Sequence, residues 1–308
     1  MNGIVRQHNQ IAGAVSEELR ARFISYLDAS KKTVETYSRN LKQFFVYLND
    51  NQISSPTRDT VLSYKRYLLK RYKSNTVQNY IIAVRLFFQW TEQENIYPDI
   101  AKHIKGVRIS KEHRKDYLSA GQIKQILARI DRDTEQGRRD YALFVLMVCD
   151  GLRDIEISRA EIKDLRTLGE NTVLTIQGKG HTDGDSYVKI SEGVERAIRD
   201  SLKDRQNAEN NAPLFCSLSN NSYGKSLTTR SISGIIKSRM KDAGFNSERL
   251  TAHSLRHTAV TLALLGGNSI QEVQQFARHQ NIATTMIYSH ELDRAKNNCN
   301  DTITQAVL

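Results

Sequence analysis

Residues 251–290 read TAHSLRHTAVTLALLGGNSIQEVQQFARHQNIATTMIYSH, and their apolar spacing predicts three consecutive helices. In the first, Ala259, Val260, Leu262, Ala263 and Leu265 supply an apolar face. His253 and Arg256 are three positions apart, so they share one side of that helix. Gly266-Gly267 stops it, and Asn268-Ser269 caps its successor. The second helix, about 270–278, buries Val273, Phe276 and Ala277. A break at Asn281 leads into the third, which carries Thr284-Thr285-Met286-Ile287-Tyr288. The polar groups then lie at the ends of packed helices, where a rigid site can be built.

These residue types suit a phosphodiester. Arg256 can grip two phosphate oxygens with its planar fork. His253 and His279 can each donate a hydrogen bond or move a proton. Tyr288 can attack phosphorus and hold the product covalently. Taken singly, each residue is as well explained by ordinary packing. The order carries more. His253-x-Leu255-Arg256-His257-Thr258, then a histidine 23 residues after that arginine, then a tyrosine nine further on, resembles the signature of the tyrosine recombinases, also called the phage-integrase family. Upstream, Gly151-Leu152-Arg153-Asp154-Ile155-Glu156 resembles the family's G-L-R-x-x-E box, and Gly178-Lys179-Gly180 resembles its G-K-G hairpin. The resemblance spans roughly residues 16–292.

The resemblance implies a mainly α fold with a small β-sheet: an N-terminal helical core-binding (SAM-like) domain and a C-terminal mixed α/β catalytic domain. The boundaries expected are a flexible arm at 1–15, the helical domain at 16–97, a basic linker at 98–116, the catalytic domain at 117–292 and a tail at 293–308. Charge fits this division. Of 45 Lys plus Arg and 34 Asp plus Glu, residues 1–116 hold 20 and 11, so the excess of +11 sits mostly in front. Such an excess points to a polyanionic partner. The three cysteines are widely spaced and do not cluster with histidine at metal-ligand spacing, which fits a reducing cytosol and no metal. No apolar run reaches transmembrane length, so no membrane partner is expected.

Four helices are read in the front domain: about 16–29, 31–49, 57–72 and 74–95. Thr33-Val34-x-x-Tyr37 with Phe44-Phe45 matches Thr76-Val77-x-x-Tyr80 with Phe87-Phe88 at a constant offset of 43. The echo implies two helices with similar tasks, a polar first turn outward and an aromatic core behind. Helix N-termini bind phosphate through unpaired N–H groups and the dipole, although ordinary capping uses the same residue types. Lys31, Lys32, Ser74, Asn75 and Thr76 are placed for such contacts, and the third helix adds Lys65, Arg66, Lys70, Arg71 and Lys73. Contacts of this kind go mostly to backbone and weaken steeply with salt.

In the catalytic domain, Ser119-x-x-Gln122 is a capping-box pattern, and 141–148 reads as a buried helix delivering Arg153. Strands are read at 172–177 and 186–191, joined by a turn that carries Lys179. Helices follow near 193–205 and 228–243. The latter presents Arg230, Lys237, Arg239 and Lys241 as a set facing DNA, with Arg230 foremost. By resemblance, Arg153 and Arg256 hold the phosphate with His253 and His279. Tyr288 is the nucleophile, His253 its base, and Lys179 the acid at the 5′ oxygen. Glu156 orients Arg153 or forms a structural ion pair. The reaction implied runs through a 3′-phosphotyrosine and a Holliday junction without ATP or metal. Its partners are a double-stranded DNA recombination site, a homo-tetramer on synapsed DNA and an accessory directionality factor. The size resembles Xer-type enzymes and compact mobile-element integrases. Two departures stand out. Arg278 occupies the place where the family has Gly, and is expected to point outward. Asp154 follows Arg153 and could compete with phosphate if it turned inward. Type IB topoisomerase-like relaxation, a DNA-binding relative with impaired catalysis, and a transcription factor are the rival readings.

Overall fold

The computed structural model describes residues 15–108, 116–177, 186–295 and 298–308. They form two compact units that divide between 108 and 116.

The first unit is a bundle of four helices: α1 (Glu17–Tyr26), α2 (Lys31–Asp50), α3 (Arg58–Leu69) and α4 (Ser74–Gln93). Ser16 and Ser30 cap α1 and α2 through their side chains. The core is aromatic. Phe45 of α2 meets Phe87 of α4 edge-on at 5.6 Å between ring centres, and Phe44 meets Phe88 at 5.9 Å. The two echoed sequence segments therefore pack on each other. Tyr97 is buried in this same core, and so are Ala101 and Ile104 from the expected linker. Arg58, Lys65 and Gln78 tie the strip that follows them: Lys65 Nζ donates to the carbonyls of Lys105 (2.6 Å) and Gly106 (3.2 Å), and Val107 N–H donates to Gln78 Oε1 (2.8 Å).

The second unit is built on α6 (Glu135–Cys149), whose residues from Ala142 to Val148 are all buried. It follows α5 (Ala120–Ala128), where Ser119 and Gln122 cap each other reciprocally. After α7 (Asp154–Arg159) come three antiparallel strands, β1 (Leu165–Leu168), β2 (Asn171–Ile176) and β3 (Ser186–Lys189), paired in that order. β1 was not expected from the sequence. α8 (Glu192–Ser201), α9 (Thr229–Asp242) and α10 (Ala252–Leu265) pack round α6. α11 (Ile270–Ala277) and α12 (Ile282–Ala295) follow, and α13 (Cys299–Val307) ends the chain with Ile303 and Val307 exposed.

On α9 the expected basic set divides. Arg239 turns inward, where its Nη2 pairs with the buried Asp140 at 2.7 Å, a carboxylate shared with Arg139. Lys237 Nζ donates to the Leu250 carbonyl at 3.1 Å. Buried carboxylates need counter-charges, and a helix has only one face to supply them. Arg230, in the first turn, is exposed.

Candidate active site

The site grows from the turn that ends α6. Gly151 there has φ +60, and a Cβ would lie 3.2 Å from the Phe276 ring, so conformation and space both call for glycine. The close approach brings its carbonyl under α10 and α11. Arg256 Nη1 donates to Gly151 O and Nη2 to Ala277 O. These two bonds fix the plane of a guanidinium that is only 3% exposed. Burial, then Arg153 and Arg278, pull its pKa down to about 9, which still leaves it charged at neutral pH.

Arg153 precedes α7 as its N-cap. Glu156, one turn on and buried, accepts the Arg153 backbone N–H (2.8 Å) and the Arg153 side chain (2.7 Å). The other Arg153 nitrogen, Nη2, reaches the Arg278 carbonyl at 3.3 Å. Arg153, Arg256 and the strand of chain entering His279 are thus knotted together through backbone carbonyls. Asp154 gives an oxygen to the Ile155 N–H at 2.9 Å, which caps the helix locally.

Arg278 does not point outward as expected. It caps α11 in the left-handed conformation, φ 53 and ψ 45, which explains why glycine suits this position. From there its guanidinium turns inward. It donates to Glu156 Oε2 (2.9 Å), Gly151 O (3.1 Å) and Phe276 O (3.0 Å). Burial alone would raise the Glu156 pKa, but Arg278 and Arg153 together hold it below the ordinary carboxylate value. Three guanidinium groups therefore gather round one ionised glutamate. Nearby Asp150 is buried, its Oδ2 has no hydrogen-bond partner among the described residues, and burial pushes its pKa up to about 7.

His279 follows Arg278 directly. Its Nδ1 contacts Thr285 Oγ1 at 2.9 Å, which leaves Nε2 as the nitrogen for a ligand. Burial first, then Arg256, Arg153, Arg278 and His253, lowers its pKa to about 4, so the ring is neutral at pH 7. Tyr288, 6% exposed, stacks on it with ring centres 6.4 Å apart. The Tyr288 hydroxyl is hydrogen-bonded to His257 Nδ1, and the His257 ring packs edge-on against His253 at 4.4 Å. His253 is exposed at the start of α10.

The structure thus brings Arg153, Arg256, His279, Tyr288 and Glu156 to one place. Lys179 lies outside the described residues. His257 and Asp150 were not singled out from the sequence. A signal for His257 existed: α10 buries Ser254, Arg256, His257, Thr258 and Thr261 on an otherwise apolar helix, and buried polar groups require partners.

Within the first unit, Lys31 and Lys32 are exposed in the first turn of α2, a turn without acidic residues. Lys73, Ser74 and Asn75 are exposed at the start of α4, with Thr76 half-buried. Arg66, Lys70 and Arg71 line a surface pocket at the end of α3, where the Arg71 guanidinium lies 3.9 Å from the Tyr67 ring centre. Lys65 is half-buried and held by the two carbonyls described above.

Comparison with known proteins gives two family matches. Residues 116–294 match the phage integrase family, and residues 21–95 match the phage integrase N-terminal SAM-like domain. The chain is 27% identical to a tyrosine recombinase of Synechococcus elongatus over 287 residues, covering 88% of each chain. It is 27% identical to the tyrosine recombinase XerC of Natranaerobius thermophilus over 286 residues, covering 87% of this chain and 92% of the relative. Its fold resembles that of the XerH site-specific recombinase solved in a post-cleavage complex with palindromic difH substrate. The TM-score is 0.73 at 23% identity, over 92% of this chain and 84% of that one.

Proposed function

The chain belongs to the phage integrase family, the tyrosine recombinases, and from that premise we propose that it breaks and rejoins DNA strands at a specific site through a 3′-phosphotyrosine and a Holliday junction. The observation that carries this reading is the meeting of Arg153, Arg256 and His279 beside Tyr288. Two guanidinium groups with planes already fixed by carbonyls are pre-organised for a pentavalent phosphorus, whose charge grows in the transition state. Neutral His279 donates a hydrogen bond to a non-bridging oxygen through Nε2. His253, exposed beside them, completes the cradle. Tyr288 Oη attacks phosphorus, the P–O5′ bond breaks, and Lys179 protonates the leaving oxygen. The phosphotyrosine ester conserves the bond energy, so neither ATP nor metal enters the reaction as proposed.

DNA affinity comes from the exposed basic groups of the first unit. Lysines at a helix N-terminus oppose the dipole unless an anion joins them; Lys32 has Glu35 at 3.7 Å, whereas Lys31 is exposed in the same turn, which supports phosphate binding there with Lys32 beside it. The groove at Arg66, Lys70 and Arg71, with Lys73, Ser74, Asn75 and Thr76, extends that surface, and Arg230 adds a contact from the second unit. Exchange between two duplexes calls for four protomers. The exposed Ile303 and Val307 on α13 support packing of that helix on a neighbour. A directionality factor would bias integration against excision. The sequence relatives favour an Xer-like enzyme over a topoisomerase.

The test is covalent capture. A pool of nicked duplexes of randomised sequence is incubated with the protein, and adducts are resolved on denaturing gels and sequenced. A protein–DNA adduct that disappears in Tyr288→Phe is expected. An adduct undiminished in that variant, or none with the wild type, refutes the mechanism.

A further inference from the structure

The Tyr288 hydroxyl is engaged by His257, a histidine of the quoted motif to which the sequence reading gives no role. His257 lies beside Arg256 and four residues, one turn, beyond His253, so the two imidazoles meet along α10. It is buried at 7% exposure, and its Nδ1 is in hydrogen-bond contact with the phenol across the α10–α12 interface. Its ring and the Tyr288 ring are tilted, with centres 5.3 Å apart. We propose that His257 is a catalytic residue: it holds the Tyr288 phenol at rest and takes its proton as the phosphotyrosine forms. The proposal rests on the recombinase reading above.

The chemistry balances without another reactant. A neutral imidazole carrying its proton on Nε2 accepts the phenol O–H at Nδ1. At rest the proton stays on oxygen, because an ordinary phenol (pKa about 10) is a weaker acid than imidazolium (about 6.5). As the Oη–P bond forms, the oxygen becomes far more acidic and the proton moves to His257. The P–O5′ bond breaks, and the leaving oxygen takes its proton from Lys179. Religation runs the same steps backward, with His257 returning the proton to Tyr288. The groups facing this transfer are His253 on the same helix, Arg256 beside it, and His279 across the tyrosine ring. Arg256 interacts electrostatically with Tyr288 and favours its ionised form. In this arrangement His253, at the exposed end, is left to the phosphate, and His257 serves the nucleophile.

Two experiments test this. With the duplex recovered by covalent capture, adduct formation is followed in His257→Asn, which keeps an amide near Nδ1, and in His257→Phe, which keeps the ring volume. Both are expected to form adduct at least about 100-fold more slowly at pH 7, within the range for loss of a general base. The deficit should narrow as pH is raised, because a growing share of phenolate needs no base. A deficit constant across pH, or an Asn variant as fast as the wild type, overturns the proposal while leaving the recombinase reading intact. Loss of the wild-type adduct itself would instead sink that reading. Independently of DNA and of any change at His257, the His257 Nδ1 resonance of ¹⁵N-histidine-labelled protein should shift in Tyr288→Phe. An unmoved Nδ1 resonance also overturns it.

Discussion

Replacing Arg278 separates what its backbone costs from what its side chain contributes. Arg278 caps α11 at φ 53, a conformation that costs a non-glycine residue about 1–2 kcal/mol. Against that stands a charge-assisted bond to Glu156 at 2.9 Å, with further donations to the Gly151 and Phe276 carbonyls. Hydrogen bonds to charged groups contribute about 1.5–3 kcal/mol. Removing one partner of a buried ion pair can cost about 3–5 kcal/mol, but Glu156 keeps its two bonds from Arg153, so the lower figure applies. Arg278→Ala keeps the strained backbone and loses the pair, so it should destabilise the second unit by about 2–3 kcal/mol. Arg278→Gly loses the same pair but relieves the strain, leaving a loss of about 1 kcal/mol. For a unit of this size each kcal/mol moves the melting transition by about 2–4 °C. Calorimetry of the three proteins should therefore rank them wild type, then Gly, then Ala. Ala and Gly variants of equal stability would refute the left-handed cap, and variants as stable as the wild type would refute the inward ion pair.

Other expectations follow from the same geometry. Asp150 is buried with a pKa raised to about 7, so the folded protein holds a proton there that the unfolded chain releases near 3.8. Its contribution is full below pH 3.8 and is lost as pH rises through 7. Asp150→Asn should be more stable than the wild type at pH 8, by up to about 4 kcal/mol at about 1.4 kcal/mol per pH unit, and equal to it at pH 3.5. Urea melts at the two pH values check this; no gain at pH 8 refutes it. His279 behaves in the opposite sense. With its pKa lowered to about 4, it stays neutral in the fold while the unfolded chain protonates near 6.5, so stability falls as pH drops from 6.5 to 4. In His279→Gln that part of the slope should vanish, which a series of urea midpoints between pH 4 and 7 would detect. On the DNA side, Lys31→Ala and Lys32→Ala should each lower the salt slope of binding by about 1. Lys65→Ala should leave the slope unchanged and lower the melting temperature of the first unit, because its ammonium is held by the Lys105 and Gly106 carbonyls.

These outcomes bear on how much a sequence discloses. The helices of the second unit were legible wherever an apolar stripe met a stop signal: Gly266-Gly267 ends α10 and Ser269 begins α11. The aromatic echo in α2 and α4 was legible too, though not that its two halves face each other, because an offset carries no partner. β1 was invisible because Leu165-Arg166-Thr167-Leu168 is too short to show alternation, and its partner strand decides it. The site shows the same limit more sharply. Arg153, Arg256, His279 and Tyr288 could be picked out because their order resembles the recombinase signature and their chemistry suits a phosphate. Direction could not be picked out. Arg278 was expected outward because turned inward it adds positive charge to the site, yet the left-handed cap aims its side chain at Glu156, and only a folded backbone contains that instruction. Lys237 and Arg239 were read as part of a basic set facing a DNA groove or backbone, whereas Asp140 and the Leu250 carbonyl hold them. His257 was quoted in the motif but given no role, because the sequence carries no sign that its ring meets Tyr288. What a spacing argument misses is therefore one kind of fact: which buried acceptor a long polar side chain turns to meet. That choice is made by packing against other segments, near or far along the chain: Lys237 and Leu250 are 13 positions apart, Arg278 and Glu156 122.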